Sequence, residues 1–503
     1  MRVLVLAVSI LLYSISAYAQ FDNSEYRQTT YGAPDHYCDP TRSLASSGTG
    51  TLGDPWNLTQ CQSEPVCGEV IGLLPVGSGT PVQIPVPTGG VPNNEPSFNP
   101  TGITDCTLGN ELVYVAKYAA ISLDRATITT NQNRTEFRTN GTAEAADVVG
   151  TGHAAYGTYD HDYVIFDGIF TDMAYVGING DQGVISTVNA TGVQFLNFRI
   201  KGTTTDMDSN PVIYRPGNSV DTTLSNFEVW DFDNSPTGTG LNQNGLFSDQ
   251  YGDRNYTIEK FVLDNTDRGI FPKGTQGGNF NYGTIRYGII KNVQTCMLFN
   301  DFDSVNVTEV HHVLCYGWQN YGINLSGQTS APRNFLLHHV TISGGTPACT
   351  STNDAGPFYI QQGTPSNVTI RDNIFDYPNT AYCRGMWLNE ISTMPTANYN
   401  GYYRGAGSPS WSFNGGTSTT IANWRSATSQ EADSTVLASD PFYDRGNSDY
   451  SLAVGHAANT ASTTGGELGA YEGNHVIGYD VSTSGSVGQS GNGTGRLTNI
   501  KRF

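Results

Sequence analysis

A short apolar segment returns eight times between Asp162 and Glu390, and this repeat constrains the fold more than any other feature of the chain. The segments are YVIFDGIFT from Tyr163, VQFLNFRIK from Val193, TTLSNFEVW from Thr222, YTIEKFVLD from Tyr256, GTIRYGIIK from Gly283, TEVHHVLCY from Thr308, FLLHHVTIS from Phe335 and VTIRDNIFD from Val368. Each is followed, after a polar loop, by a second short apolar run, from VGINGD at Val176 to GMWLNE at Gly385. The first apolar position (Ile165, Phe195, Leu224, Ile258, Ile285, Val310, Leu337, Ile370) comes back after roughly 25 to 34 residues. A unit that short cannot bury its apolar side alone, but it can against identical neighbours. The period predicts the coils of a solenoid.

Composition agrees on strands. Only 14% of residues are charged, and the 58 glycines come with abundant Thr, Asn and Ser, all poor helix formers. No long segment keeps a 3.6-residue apolar spacing, so the expected class is all-β.

The N-terminus reads as a secretion signal. Arg2 precedes the apolar run VLVLAVSILLYSI, and Ala17 and Ala19 supply small residues before an expected cleavage at Gln20. The run is shorter than the roughly 20 apolar residues that span a bilayer, and no other stretch is long enough. The expected organisation is a signal over 1–19, one solenoid domain over 20–480, and a low-complexity tail over 481–503. Eight cysteines lie beyond the signal, four early and four late, which favours disulfides within each group and an extracellular or periplasmic location. Their spacing is not that of a zinc site. A net charge of −20 argues against nucleic acid as a partner and gives weight to any basic residue on a working face. A monomer is expected.

The ends of the chain carry a resemblance. HYCDPTRSLASSGTGTLGDPWNLTQC, from His36, has an aromatic strand, a polar Gly/Ser loop and a Pro-Trp pair. SDPFYDRGNSDYSLAVGHAANTA from Ser439 and GELGAYEG from Gly466 place an Asp-Pro-Phe strand before an Asp-Tyr-Ser-Leu strand and a Gly-Ala-Tyr end. These segments resemble the opening and closing of secreted right-handed parallel β-helix proteins of the pectate-lyase-like superfamily. That resemblance implies a right-handed parallel β-helix with an N-terminal cap and long surface loops.

In such a fold, equivalent residues of successive coils stack into columns about 4.8 Å apart. Ile165 to Ile370 would form one inward column, and Phe170, Ile200, Val229, Leu263, Ile290, Cys315, Ile342 and Phe375 another. Asp167, Asn197 and Asn226 would occupy a turn, bonding backbone groups freed by the bend. In the second runs, Ile178, Val212, Leu246, Ile270, Met297, Ile323, Phe358 and Met386 should face inward. Strand alternation then turns outward a column of Ile213, Phe247, Phe271, Leu298, Asn324, Tyr359 and Trp387. Its neighbour runs Asp181, Arg215, Asp249, Lys273, Asn300, Ser326, Gln361 and Asn389. Aromatic rings beside charged groups suit a saccharide groove, although a solvated face with coil-to-coil ion pairs has the same pattern.

Lys273, in IFPKG followed by TIRYGII, resembles the lysine-bearing coil of the alginate lyase and chondroitinase-B type of polysaccharide lyase. The resemblance implies that Lys273 abstracts the C5 proton of a uronic acid while a basic residue or Ca²⁺ neutralises the carboxylate. An arginine is expected one coil later, where Asn300 stands. Arg215 or Arg286 would have to take its place, with Asp249 assisting.

A second strip reads Glu259, Arg286, His311, His338, Arg371. His311-His312 and His338-His339 could act as acid, base or ligand, or serve as polar surface. Asp301 and Asp303 near Asp249 would suit a hydrolase carboxylate pair or a Ca²⁺ site, and turn formation equally. The expected function is cleavage of an acidic polysaccharide by β-elimination. The catalytic residues would be Lys273, Arg215 and Asp249, with Phe247, Phe271, Tyr359, Trp387, Arg286, His311, His338 and Asn300 binding substrate. A paired-carboxylate glycoside hydrolase and a non-catalytic carbohydrate-binding protein are the alternatives that the same fold hosts.

Overall fold

The computed structural model describes residues 31–39, 42–74, 98–116, 136–137, 156–172, 183–201, 212–230, 253–266, 268–272, 282–300, 302, 305–326, 332–344, 356–361, 363–377, 383–405, 410–447 and 449–470. Strands of successive coils pair in parallel, rung on rung, and the molecule is a parallel β-solenoid.

The repeat places most of the core correctly. Phe195, Leu224, Ile258, Ile285, Val310, Leu337 and Ile370 pair in sequence along the long sheet. Ile200, Val229, Leu263, Ile290, Cys315, Ile342 and Phe375 form the second column. All fourteen side chains are fully buried. Burying a Leu, Ile, Val or Phe side chain is worth about 1.5–3 kcal/mol, so these columns are the main source of the fold's stability.

The first of these coils departs from expectation by one residue. Phe166, not Ile165, pairs with Phe195, and Thr171, not Phe170, pairs with Ile200. Gly168 (φ 81°) takes the bend that Asn197 and Asn226 occupy in the next coils, so Asp167 falls opposite Leu196 and not in the bend column. This register stacks the Phe166 ring between Tyr114 (5.5 Å) and Phe195 (5.3 Å), contacts that Ile165 could not supply. The second strand of that coil is also displaced. Gly183–Val188, and not the VGINGD run, pairs with Val212–Gly217. Ile178, Asp181 and Leu246 lie outside the described residues.

The long strands bend at one repeated position. Asn197, Asn226, Lys260, Tyr287, His312, His339, Asp372 and Tyr399 all hold left-handed backbone, with φ between 51° and 60°. Only glycine adopts this freely, though Asn tolerates it. In the early coils the side chains offset part of the strain by bonding to the coil before. Asn197 Nδ2 donates to Asp167 Oδ1 (2.8 Å), and Asn226 donates to Asn197. Beyond the bend, the Phe198, Phe227 and Phe261 rings stack at 4.5 and 5.5 Å. Gly288 is required next in line, because a Cβ there would sit 2.0 Å from the Phe261 ring.

Both ends are closed. The strand His36–Cys38 extends the ladder through Val70–Leu73 and Leu112–Ala116 to Val164–Asp167. Beside it, the helix Leu58–Ser63 starts in a capping box between Asn57 and Gln60. Disulfides Cys38–Cys61 and Cys67–Cys106 tie this end, and Cys296–Cys315 crosses the core. These disulfides fit an extracytoplasmic protein, and among the described residues no helix is long and apolar enough to cross a membrane. At the other end, the antiparallel pair Phe442–Asp444 and Asp449–Leu452 folds back along the flank of the long sheet. Phe442, Tyr450 and Leu468 cover Leu314 and Ile374 in a second apolar cluster.

Candidate functional site

Two outer faces of the solenoid carry those selected residues that the structure describes. The first belongs to the seven-stranded sheet, which includes Arg268–Ile270, Thr295–Phe299, Tyr321–Leu325, Gly356–Ile360 and Trp387–Leu388. Met297, Ile323 and Phe358 pair on its inner side, and Leu298, Asn324, Tyr359 and Trp387 form the outward column as expected. Beside them, Ser326 donates to Asn300 Oδ1, while the Asn300 backbone N–H donates to the Pro272 carbonyl (3.4 Å). Asn300, Asn324 and Ser326 are nevertheless buried, at 3–9% exposure.

The aromatic residues on this face are engaged with one another. Tyr359 lies between Tyr321 (5.0 Å) and Trp387 (4.3 Å), both stacked, and is 7% exposed. Phe271 was expected as an exposed stacking ring. It is 2% exposed, and the Arg268 guanidinium covers its face at 4.7 Å. For Tyr359 the reason is geometric: coils stack at strand spacing, so aligned rings occupy each other's faces. Trp387 and Tyr321 are half-buried and are more accessible than Tyr359 and Phe271. Lys273, Asp249, Phe247, Asp301 and Asp303 lie outside the described residues. Arg215 sits in the strand Val212–Gly217 with its backbone opposite Ser186, and its side chain is outside the described part.

The second face is the histidine strip. Glu259, Arg286, His311, His338 and Arg371 align in one column, one residue from each coil. Arg286 donates through Nε and Nη2 to Glu259 Oε2 at 2.8 and 2.7 Å. His338 Nε2 lies 2.9 Å from Glu309 Oε1, and Arg371 Nη1 is 2.5 Å from Asp372 Oδ2. The bend column sits alongside and brings in His312 and His339, the second members of the two histidine pairs. His311 and His312 share a hydrogen bond between their Nδ1 atoms at 2.7 Å, and His338 and His339 do the same at 2.8 Å. His311 stacks on His338, His312 stacks on His339 at 5.3 Å, and the Tyr287 ring meets His311 edge-on at 5.5 Å. Burial first, and the neighbouring His338 next, pull the His311 pKa down to about 4, so it is neutral at pH 7. The signal for the bend column was present in the paired HH dipeptides. Strand alternation would send neighbours to opposite faces, whereas the left-handed His312 and His339 keep each pair on one.

Among the described residues, no group of three or more His, Cys, Asp or Glu is arranged to hold a metal ion. Arg286 and Arg371 are paired with Glu259 and the buried Asp372, and His338 with Glu309, so the strip's polar groups already engage one another. The seven-stranded face offers open edges and polar side chains, and is the better candidate for a ligand.

Fold and faces together define a parallel β-helix protein with two polar outer columns. No family profile and no curated protein matches the chain. Among solved structures it is similar to pectate lyase Pel9A (14% identity, 88% of this chain and 98% of that one, TM-score 0.46). It is similar also to a rhamnogalacturonan lyase (14%, 73% and 87%, TM-score 0.39). The polysaccharide lyase Pedsa3628 of the PL6 family, from Pseudopedobacter saltans, is a third (11%, 84% and 98%, TM-score 0.35). Likenesses this distant are of architecture and carry no argument about chemistry.

Proposed function

We propose that the protein is a carbohydrate-active β-helix that cleaves a uronate-containing polysaccharide by β-elimination on the outer face of the seven-stranded sheet. Lys273, as the free amine, takes the C5 proton. The electron pair forms the C4–C5 double bond, the C4–O bond breaks, and the leaving oxygen gains a proton. Arg215 neutralises the uronate carboxylate, without which the C5 proton is too weakly acidic, and Asp249 orients the lysine. Asn300, Tyr359 and Trp387 line the path of the sugar chain through side-chain amide, hydroxyl and ring edge. Arg286, His311 and His338 contact substrate from the neighbouring face. In this reading Ca²⁺ is the alternative to Arg215 as the means of neutralising the carboxylate.

The observation that supports this reading is the rung at Pro272. Its carbonyl accepts from Asn300, so the residue immediately before Lys273 is tied to the polar column beside Tyr359 and Trp387. The test is incubation with a panel of uronate polysaccharides while following the ultraviolet absorbance of an unsaturated product. New reducing ends without that absorbance would indicate hydrolysis instead, and retained binding with neither signal a binding protein.

A further inference from the structure

The chain has eight cysteines, and seven of them are among the described residues. Six of these make the three disulfides that tie the cap and cross the core. The seventh, Cys383, is fully buried and is also disulfide-bonded. Among the described residues no cysteine is free. Cys349 lies outside the described residues and is the one remaining cysteine of the chain.

Chain connectivity puts these two cysteines at one corner of the solenoid. Position 349 falls in the connection from the strand Thr341–Ser343 of the long sheet to the strand Gly356–Ile360 of the seven-stranded sheet. Cys383 stands one coil later, just before the strand Trp387–Leu388. The two corners touch, because a Cβ on Gly356 would collide with the Arg384 carbonyl. A disulfide needs Cα atoms about 4.4–6.8 Å apart, and the stretch between Cys349 and Gly356 is long enough to reach. Trp387–Leu388 is a strand of two residues, so few ladder bonds fix its register. Its corner is tied to the coil that follows: Ser410 Oγ donates to the Cys383 carbonyl (3.0 Å), and the Gly385 backbone N–H donates to the Ser410 carbonyl (2.8 Å). A bond from Cys383 to Cys349 ties the same corner to the coil before.

We infer that Cys349 and Cys383 form a fourth disulfide, and that this bond is a positioning element of the seven-stranded face, holding the Trp387 rung against the Tyr359 rung. The two rings stack at 4.3 Å, which requires the two corners to keep one separation. Without the cross-link, the connection entering Gly356 and the turn entering Trp387 gain conformational freedom independently, and the rings lose their common register. The pairing and its local effect do not depend on what the face binds. The further step, that the stack guides a uronate polymer, rests on the function proposed above.

Mass spectrometry on a digest of the unreduced, alkylated full chain tests the pairing. The Cys349 and Cys383 peptides should be joined, and an alkylated Cys349, or Cys349 joined to another cysteine, would overturn it. Hydrogen exchange in the double variant Cys349→Ala/Cys383→Ala tests the positioning role. Exchange should quicken in 356–361 and 385–389 and keep the wild-type rate in the strands Leu112–Ala116 and Tyr282–Lys291. Unchanged exchange at both rungs would overturn that role, and so would a variant that fails to fold, since the bond would then hold the solenoid as a whole. On a uronate polysaccharide that wild type cleaves, the double variant should raise KM about threefold or more while kcat stays within about twofold. An unchanged KM there would overturn the link between the disulfide and the saccharide path. Wild type that gives no unsaturated product on any uronate polysaccharide sinks the lyase, and leaves the disulfide and its exchange effect standing.

Discussion

His311 lies on His338 of the next coil with ring centroids 5.0 Å apart and planes 10° from parallel. Each ring is also bonded through Nδ1 to the histidine that follows it in sequence. In each pair one nitrogen must donate and the other accept, so the hydrogen bond needs at least one neutral imidazole, the acceptor. Protonating both members would set two donors face to face and place like charges on adjacent rungs.

This fixes a pH dependence. The His311 pKa is about 4 in the folded chain, below the ordinary value of 6.5. A depressed pKa means that the unfolded chain binds the proton first. The stabilisation is therefore complete above about pH 6.5 and is lost as pH falls through the window to about 4. Denaturant titrations at stepped pH should show the midpoint falling across that window, with a shallower fall in His311→Asn. Equal slopes in both proteins would show that other groups carry the effect.

Gly288 is packed under the Phe261 ring, with no space for a Cβ. Gly288→Ala should destabilise the protein by about 1–3 kcal/mol, the usual cost of overpacking a closed core. Combining it with Phe261→Leu should recover part of the loss, giving a favourable coupling in a double-mutant cycle. Additive effects would mean that the clash relaxes elsewhere.

Arg445 holds the folded-back C-terminal segment to the solenoid through Asp376 (2.7 Å), a buried carboxylate, and through Asp440 (3.0 Å). Burial raises the Asp376 pKa, and Arg445 counters it. Arg445→Ala would leave the Asp376 charge without that counterweight, at a cost of about 3 kcal/mol near neutrality. The cost should shrink as pH falls, because the protonated carboxyl no longer needs the cation. Unfolding of the variant and wild type at pH 7 and pH 4 measures the difference, and a pH-independent cost would contradict it.

Much of the scaffold was legible because its cause is local and repeated. Leu224, Ile258 and Ile285 recur at the same place in each coil, and a solenoid needs little more than that recurrence. The error at Ile165 arose where a glycine replaced asparagine at the bend. Gly168 hides the marker that sets the register, and a one-residue slip exchanges inward for outward. GVISTV was expected to be loop because VGINGD, the apolar run just before it, fits the spacing of the second segments, yet GVISTV is the strand that pairs with Val212–Gly217. At the candidate faces, the columns could be read but not their occupancy. Alternation puts Tyr359 outward, yet nothing in alternation says that Tyr321 and Trp387 will cover both its faces. Cys383 and Ser410 lie outside the repeated segments, and their contact depends on how two corners close. Three-dimensional convergence of that kind leaves no period to detect.

The central claim is that Lys273 removes a proton from a uronate, and the most direct measurement is the rate at which unsaturated product absorbance appears. Wild type should generate that absorbance on at least one uronate polysaccharide. Lys273→Ala should lose about 10²–10⁴-fold in kcat, as expected for loss of a general base, while remaining folded and still binding the polymer. A Lys273→Ala protein that forms unsaturated product at the wild-type rate would contradict the account.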